Sequence, residues 1–129
     1  MAHRTVVIGG GSFGTAIANI LADNGHLVRL CLRDANAVAE IRDTGINSRY
    51  LPGFRLNPAL VPTTDLPGSV ADSELVFIAV PSRAFRDVLR DMRPALRADA
   101  LLVSCTKGIW ADGFLLMSQL VAQETGSDR

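Results

Sequence analysis

The sequence predicts an α/β fold: a doubly wound parallel sheet with helices on both faces. Three observations carry that expectation. Five short apolar runs alternate with segments of helical period, as strand–crossover–strand units do. The runs are apolar at successive positions, as in strands covered on both faces, and 48% of the 129 residues are hydrophobic, enough to fill such a core. Finally, Gly9, Gly11 and Gly14 stand in a G-x-G-x-x-G spacing between the first run and the first helical segment.

Each element has its own warrant. Thr5–Ile8 is a β-branched first strand. Phe13, Ala16, Ile17, Ile20 and Leu21 recur at i, i+3, i+4, i+7 and i+8, one apolar face of a helix that closes at Asn24 and Gly25. Leu27–Leu32 is the second strand. Asp34 is suited to cap a helix from about Ala35 to Arg42, which stops near Gly45. Asn47–Gly53 reads as a loop, and a short strand near Leu60 and Val61 ends at Pro62. Thr64 and Asp65 can cap a short helix through about Val70. Leu75–Val80 is a buried strand, and Ser82 can cap a helix with apolar face Phe85, Val88, Leu89 and Met92, ending or kinking at Pro94. Ala100–Ser104 is the fifth strand. A last helix is expected from about Gly113 to Gln123, carrying Phe114, Leu116, Met117, Leu120 and Val121. The expected sheet order is 3-2-1-4-5.

Composition excludes several classes. Thirteen basic and thirteen acidic residues cancel, so nothing points to nucleic acid or a membrane surface. No apolar stretch approaches the ~20 residues of a membrane span. The apolar run after Met1–Arg4 is not a signal peptide, because the glycines break it and helical period resumes beyond them. Cys31 and Cys105 fit a reduced intracellular protein better than a disulfide scaffold. No metal-ligand spacing exists. His3 and His26 fall at the strand-entry side, so Cys105 has no histidine partner for nucleophilic chemistry.

The glycine spacing after a strand and at the head of a helix reads as a dinucleotide-binding turn, with a purely structural glycine turn as the alternative, and makes the expected fold Rossmann-like. Gly9 turns the chain off the strand, Gly11 lets the backbone approach a pyrophosphate, and Gly14 lets the helix pack close to the sheet. The helix start presents free N–H groups to the phosphates. No Gly-Lys-Ser/Thr follows, which excludes a P-loop; a methyltransferase turn stays open. Ligands of such sheets sit at the carboxyl ends of the strands, here Gly9–Phe13, Leu32–Asp34, Val80–Ser82 and Cys105–Gly108. Arg33 directly follows the second strand, where an arginine pairs with a 2′-phosphate; this leans towards NADP(H), with a plain surface charge as the alternative. Lys107 at the fifth strand's rim is placed to bind a phosphate or polarise a carbonyl, although from spacing alone a solvated lysine is the stronger reading. Tyr50 and Trp110 read first as packing residues, with Tyr50 also within reach of an adenine.

Beyond these residues, the chain resembles the bacterial-type NAD(P)-dependent glycerol-3-phosphate dehydrogenases. The resemblance runs through Val7–Ala16, Asn24–Leu30, Arg33 and Asp34, Asn47 with Arg49–Gly53, Thr63–Leu66, Ala71 and Asp72, Phe77–Ser82 and Thr106–Gly108. The Tyr50-Leu-Pro-Gly53 loop and the Thr106-Lys-Gly108 turn are its particular marks. The resemblance implies reduction of dihydroxyacetone phosphate to sn-glycerol 3-phosphate with NADP or NAD as cofactor, for phospholipid synthesis in the cytoplasm. It implies that Ser12 and Phe13 line the cofactor, that Arg33 and Tyr50 lie on its adenosine side, and that Lys107 meets cofactor and substrate. Phe13 departs from the tryptophan common there but keeps an aromatic ring.

Length is the larger departure. The family's proton-transferring lysine, Gly-Pro turn and helical substrate domain have no counterpart here. Residues 1–129 are therefore expected to be the amino-terminal, cofactor-binding part, with no catalytic residue of its own and no turnover alone. The fifth strand would then be an apolar edge that pairs with another chain, pointing to a homo-oligomer. A nucleotide-sensing module, or a related reductase of ketopantoate or 6-phosphogluconate type, are the alternatives; the Tyr50 loop argues against both.

Overall fold

The computed structural model describes residues 2–105 and, as backbone, two short strands at 109–110 and 115–116. Strands β1 (Arg4–Ile8), β2 (Leu27–Cys31), β3 (Val61–Thr63), β4 (Leu75–Ile78) and β5 (Leu101–Ser104) form one parallel sheet in the order β3-β2-β1-β4-β5, as the sequence predicts. The helices between them are α1 (Ser12–Asp23), α2 (Ala35–Thr44), α3 (Leu66–Ala71) and α4 (Ser82–Met92).

Strand alternation assigns the helices to faces. On one side Val7, Val28 and Leu30 pack under α1 and α2 with Ala18, Ala22, Val38 and Ile41. On the other, Val6, Ile8, Val76 and Ile78 pack under α3 and α4 with Val70, Phe85, Val88, Leu89 and Met92. The expected α4 face is thus the buried one. Strand order reverses between β1 and β4, which opens a crevice above their carboxyl ends.

Several expectations need correction. The stripe Phe13–Leu21 is not the buried face of α1. Gly14, Thr15, Ala18, Asn19 and Ala22 face the sheet, while Phe13 is 61% and Ile20 58% exposed. The helix lies too close to the sheet for large side chains beneath it, so Ile17 and Leu21 pack at the margin. Pro62 lies inside β3 instead of ending it; β3 is an edge strand, where a residue without an N–H is tolerated. β4 ends at Ile78, although Ala79 still donates to the Ile8 carbonyl at 2.8 Å. Pro81, not Ser82, is the N-cap of α4, and Ser82 is its first helical residue. Pro94 sits in a short 3-10 turn, Arg93–Ala95, that follows α4. In the expected last helix, Leu115 and Leu116 instead form β7, paired antiparallel with β6 (Ile109–Trp110). The rest of that segment lies outside the described residues.

Candidate dinucleotide site at the carboxyl edge of the sheet

The turn after β1 is built by contacts that exclude side chains. Gly9 has φ +119°, and a Cβ there would overlap the Ala79 carbonyl. A Cβ on Gly14 would overlap the Gly9 carbonyl and touch Ala79, so the first turn of α1 rests directly on the turn. Gly11 is different: nothing lies within 4 Å of where its Cβ would be. The space in front of Gly11 is open, and its lack of a side chain keeps it open.

Gly11 is also the N-cap of α1, without a side-chain cap, and no acidic residue occupies the helix's first turn. Thr15 donates to the Gly11 carbonyl at 2.9 Å. The N–H groups of Gly11, Ser12 and Phe13 make no hydrogen bond among the described residues. Three adjacent donors with no partner among the described residues and the positive end of a twelve-residue helix therefore lie at the switch point, the arrangement that binds phosphate.

The loop after α2 covers one side of this turn. Asn47 is 1% exposed, and its Nδ2 donates to the Gly10 carbonyl at 2.9 Å and to Thr15 Oγ1 at 3.0 Å. Thr15 Oγ1 in turn donates to the Gly10 carbonyl at 3.3 Å. Ser12 Oγ donates to the Tyr50 carbonyl at 2.7 Å, so its hydroxyl is used by the loop while its N–H stays available. Glu40 holds the loop from below, accepting from Ser48 N at 2.9 Å and Ser48 Oγ at 2.6 Å. Those bonds, the hydroxyl's first, keep the Glu40 carboxyl below its ordinary range. Tyr50 is 42% exposed, with the Arg49 guanidinium 5.2 Å from its ring centre.

Arg33 is exposed just past β2, beside the glycine turn, since Gly9 N donates to the Cys31 carbonyl at 3.0 Å. Asp34 caps α2, its Oδ1 accepting from Asn36 N at 2.8 Å. The structure thus brings Gly9, Gly11, Ser12, Phe13, Gly14, Arg33 and Tyr50 to one edge of the sheet. Lys107 lies outside the described residues. Cys31 is buried beside this edge; burial, with a smaller effect from Asp65, pushes its thiol up to about 11, so it stays protonated near neutrality. Burial also raises Cys105. The histidines sit at the opposite edge, their rings stacked at 5.5 Å, with His3 N donating to His26 Nδ1. A cleft there, about 240 Å³ and lined by Arg4, Leu27, Arg29 and Asp72 among others, has both its arginines already paired with Asp72.

Asn47, Thr15 and Asn19 were missed as site builders in the sequence. Asn19 Oδ1 accepts from Asn57 N at 2.7 Å and anchors the chain that leads to β3. Asn47 carried only its place in the resemblance, because the contact it makes spans 37 residues.

Comparison with known proteins identifies the fold. Residues 4–129 match the family model described as NAD-dependent glycerol-3-phosphate dehydrogenase N-terminus. The chain belongs to this family. It is 52% identical over 122 residues to a glycerol-3-phosphate dehydrogenase [NAD(P)+] of Saccharophagus degradans, covering 95% of this chain and 34% of that one. A relative of the same description from Teredinibacter turnerae is 48% identical over 126 residues, covering 98% and 37%. Among solved structures, the glycerol-3-phosphate dehydrogenase of Coxiella burnetii superposes with a TM-score of 0.90 at 36% identity, over 98% of this chain and 38% of that one. The chain spans about a third of the length of the curated relatives it matches. Among the described residues no helix is long and apolar enough to cross a membrane.

Proposed function

We propose that this chain forms the cofactor-binding part of an oxidoreductase that reduces dihydroxyacetone phosphate to sn-glycerol 3-phosphate, supplying glycerophospholipid synthesis in the cytoplasm. The observation that carries the reading is the row of free N–H groups on Gly11, Ser12 and Phe13 at the switch point of a family-matched sheet. The residues present fit a dinucleotide: three unpartnered donors among the described residues stand at the switch point, and the place a side chain at position 11 would take is open. NADPH or NADH, when bound, supplies the hydride for the substrate carbonyl carbon. The glycine turn holds the pyrophosphate, and the open floor at Gly11 sets how closely it approaches. Arg33 meets the adenosine side and favours a 2′-phosphate; Tyr50 flanks the same end, and Phe13 lines the crevice from α1. Lys107 is assigned to cofactor and substrate. The proton that balances the hydride is assigned to a group in the two-thirds of the relatives' length outside the match. A homo-oligomer is part of this reading; a concentration-independent monomer in light scattering would remove that part of it.

Calorimetric titration with NADPH and NADH tests the cofactor assignment. Both are expected to bind, and Arg33→Ala is expected to weaken NADPH more than NADH. Equal loss for the two ligands would refute the role of Arg33, and no saturable binding of either would refute the site.

A further inference from the structure

The peptide between Gly10 and Gly11 is held in one orientation by groups that do not face the ligand space. The Gly10 carbonyl turns inward and accepts from Asn47 Nδ2 at 2.9 Å and from Thr15 Oγ1 at 3.3 Å. No peptide bond among the described residues is cis, and across a trans peptide the carbonyl and the following N–H point in opposite directions. Fixing the Gly10 carbonyl inward therefore fixes the Gly11 N–H outward, towards the crevice. Asn47 suits this task because its amide nitrogen carries two hydrogens and the structure uses both, one on the carbonyl and one on Thr15. An aspartate of the same shape would bring a carboxylate oxygen against the carbonyl oxygen instead.

The residue is itself braced. Leu51 N donates to the Asn47 carbonyl at 2.8 Å, Ser12 ties the Tyr50 carbonyl, and Glu40 fixes Ser48. With two glycines in succession, the Gly10–Gly11 peptide has little intrinsic preference of its own. Its direction depends on these bonds.

We infer that Asn47 is a positioning residue for phosphate recognition: it orients the Gly11 N–H towards the pyrophosphate without touching the ligand. This rests on the cofactor reading above. A purely structural role predicts something different. It would lower stability and weaken every ligand alike, whereas a positioning role weakens only ligands that reach the turn.

The test uses two probes on the full chain. ADP-ribose carries the pyrophosphate; adenosine 2′-monophosphate offers only the adenosine side near Arg33. For Asn47→Ala and Asn47→Asp, the ADP-ribose dissociation constant is expected to rise about tenfold, the effect of one lost or misdirected hydrogen bond, while that of adenosine 2′-monophosphate stays within about twofold. Val88→Ala, buried on the other face of the sheet, controls for general destabilisation and is expected to leave the ratio of the two constants unchanged. Thr15→Val, which keeps the side chain's shape and removes the Oγ1 bonds to the Gly10 carbonyl and Asn47, is expected to weaken ADP-ribose selectively in the same way and reports even where the Asn47 variants fail to fold. The inference is overturned if both Asn47 variants bind ADP-ribose as the parent does, or lose the two probes equally. If the parent chain binds neither probe, the cofactor reading itself has failed, and the inference falls with it.

Discussion

Replacing Gly9 or Gly11 by alanine separates what the turn does for the fold from what it does for the ligand. At Gly9 the backbone has φ +119°, and the new Cβ would overlap the Ala79 carbonyl. The dihedral costs about 1–3 kcal/mol and the forced shift of packed backbone a similar amount, so Gly9→Ala should lose about 2–6 kcal/mol. With an unfolding entropy near 2.1 cal/mol/K per residue, a chain of this size loses about 4 °C of Tm per kcal/mol, a fall of roughly 8–24 °C. At Gly11 φ is −72° and no atom lies within 4 Å of the new Cβ. The weaker N-cap is offset by reduced freedom of the unfolded chain, so Gly11→Ala should change stability by less than about 1 kcal/mol. Its Cβ instead enters the space assigned to the pyrophosphate. Thermal unfolding and ADP-ribose titration of both variants make the comparison. Gly9→Ala should be unstable, and Gly11→Ala stable but poor at binding. A Gly9→Ala protein with an unchanged Tm, or a Gly11→Ala protein with unchanged affinity, would refute the reasoning.

Further expectations follow from other parts of the molecule. Phe85 is fully buried on the inner face of α4, so Phe85→Ala should cost about 3–5 kcal/mol in denaturant unfolding; a loss near zero would contradict the core assignment. Because the folded state raises the Cys31 thiol to about 11 from 9.0, its stabilising contribution is complete below pH 9 and is lost as pH rises towards 11. Urea midpoints measured across that window should fall more steeply for the parent than for Cys31→Ala, and parallel slopes would count against it. The Glu40 carboxyl is held below its ordinary range, so its contribution is present above pH 4.5 and disappears as the group protonates. Glu40→Gln should speed amide exchange at Ser48 near neutral pH, and identical exchange would show that the Glu40–Ser48 contact does not hold the loop.

The strand order was legible because each strand is a short apolar run with an evident boundary, and the doubly wound alternation leaves few ways to arrange them. The glycine turn was legible because its three constraints act locally. Contacts across the sheet edge were not. The tie between Asn47 and Gly10 joins segments 37 residues apart and leaves no periodic trace. The buried face of α1 was misjudged for a steric reason: Gly14 brings the helix onto the turn, so the face beneath must be small, and Ala18, Thr15 and Asn19 displace the more hydrophobic Ile20. Serine favours the N-cap position, which points to Ser82, but Pro81, with φ −56° and ψ 146°, holds that place instead. Leu115 and Leu116 belong to a sequence with the spacing of an amphipathic helix, yet these two residues pair as a strand; short apolar runs satisfy either period.

The central claim is that a dinucleotide binds at the carboxyl edge of this sheet, on the N–H groups of Gly11, Ser12 and Phe13. Backbone amide shifts followed during an NADPH titration test it most directly. Saturable shifts concentrated at residues 9–14, 32–34, 47–53 and 79–82 are predicted. Shifts concentrated at the opposite edge, around His3, Leu27 and Asp72, or none at all, would contradict it.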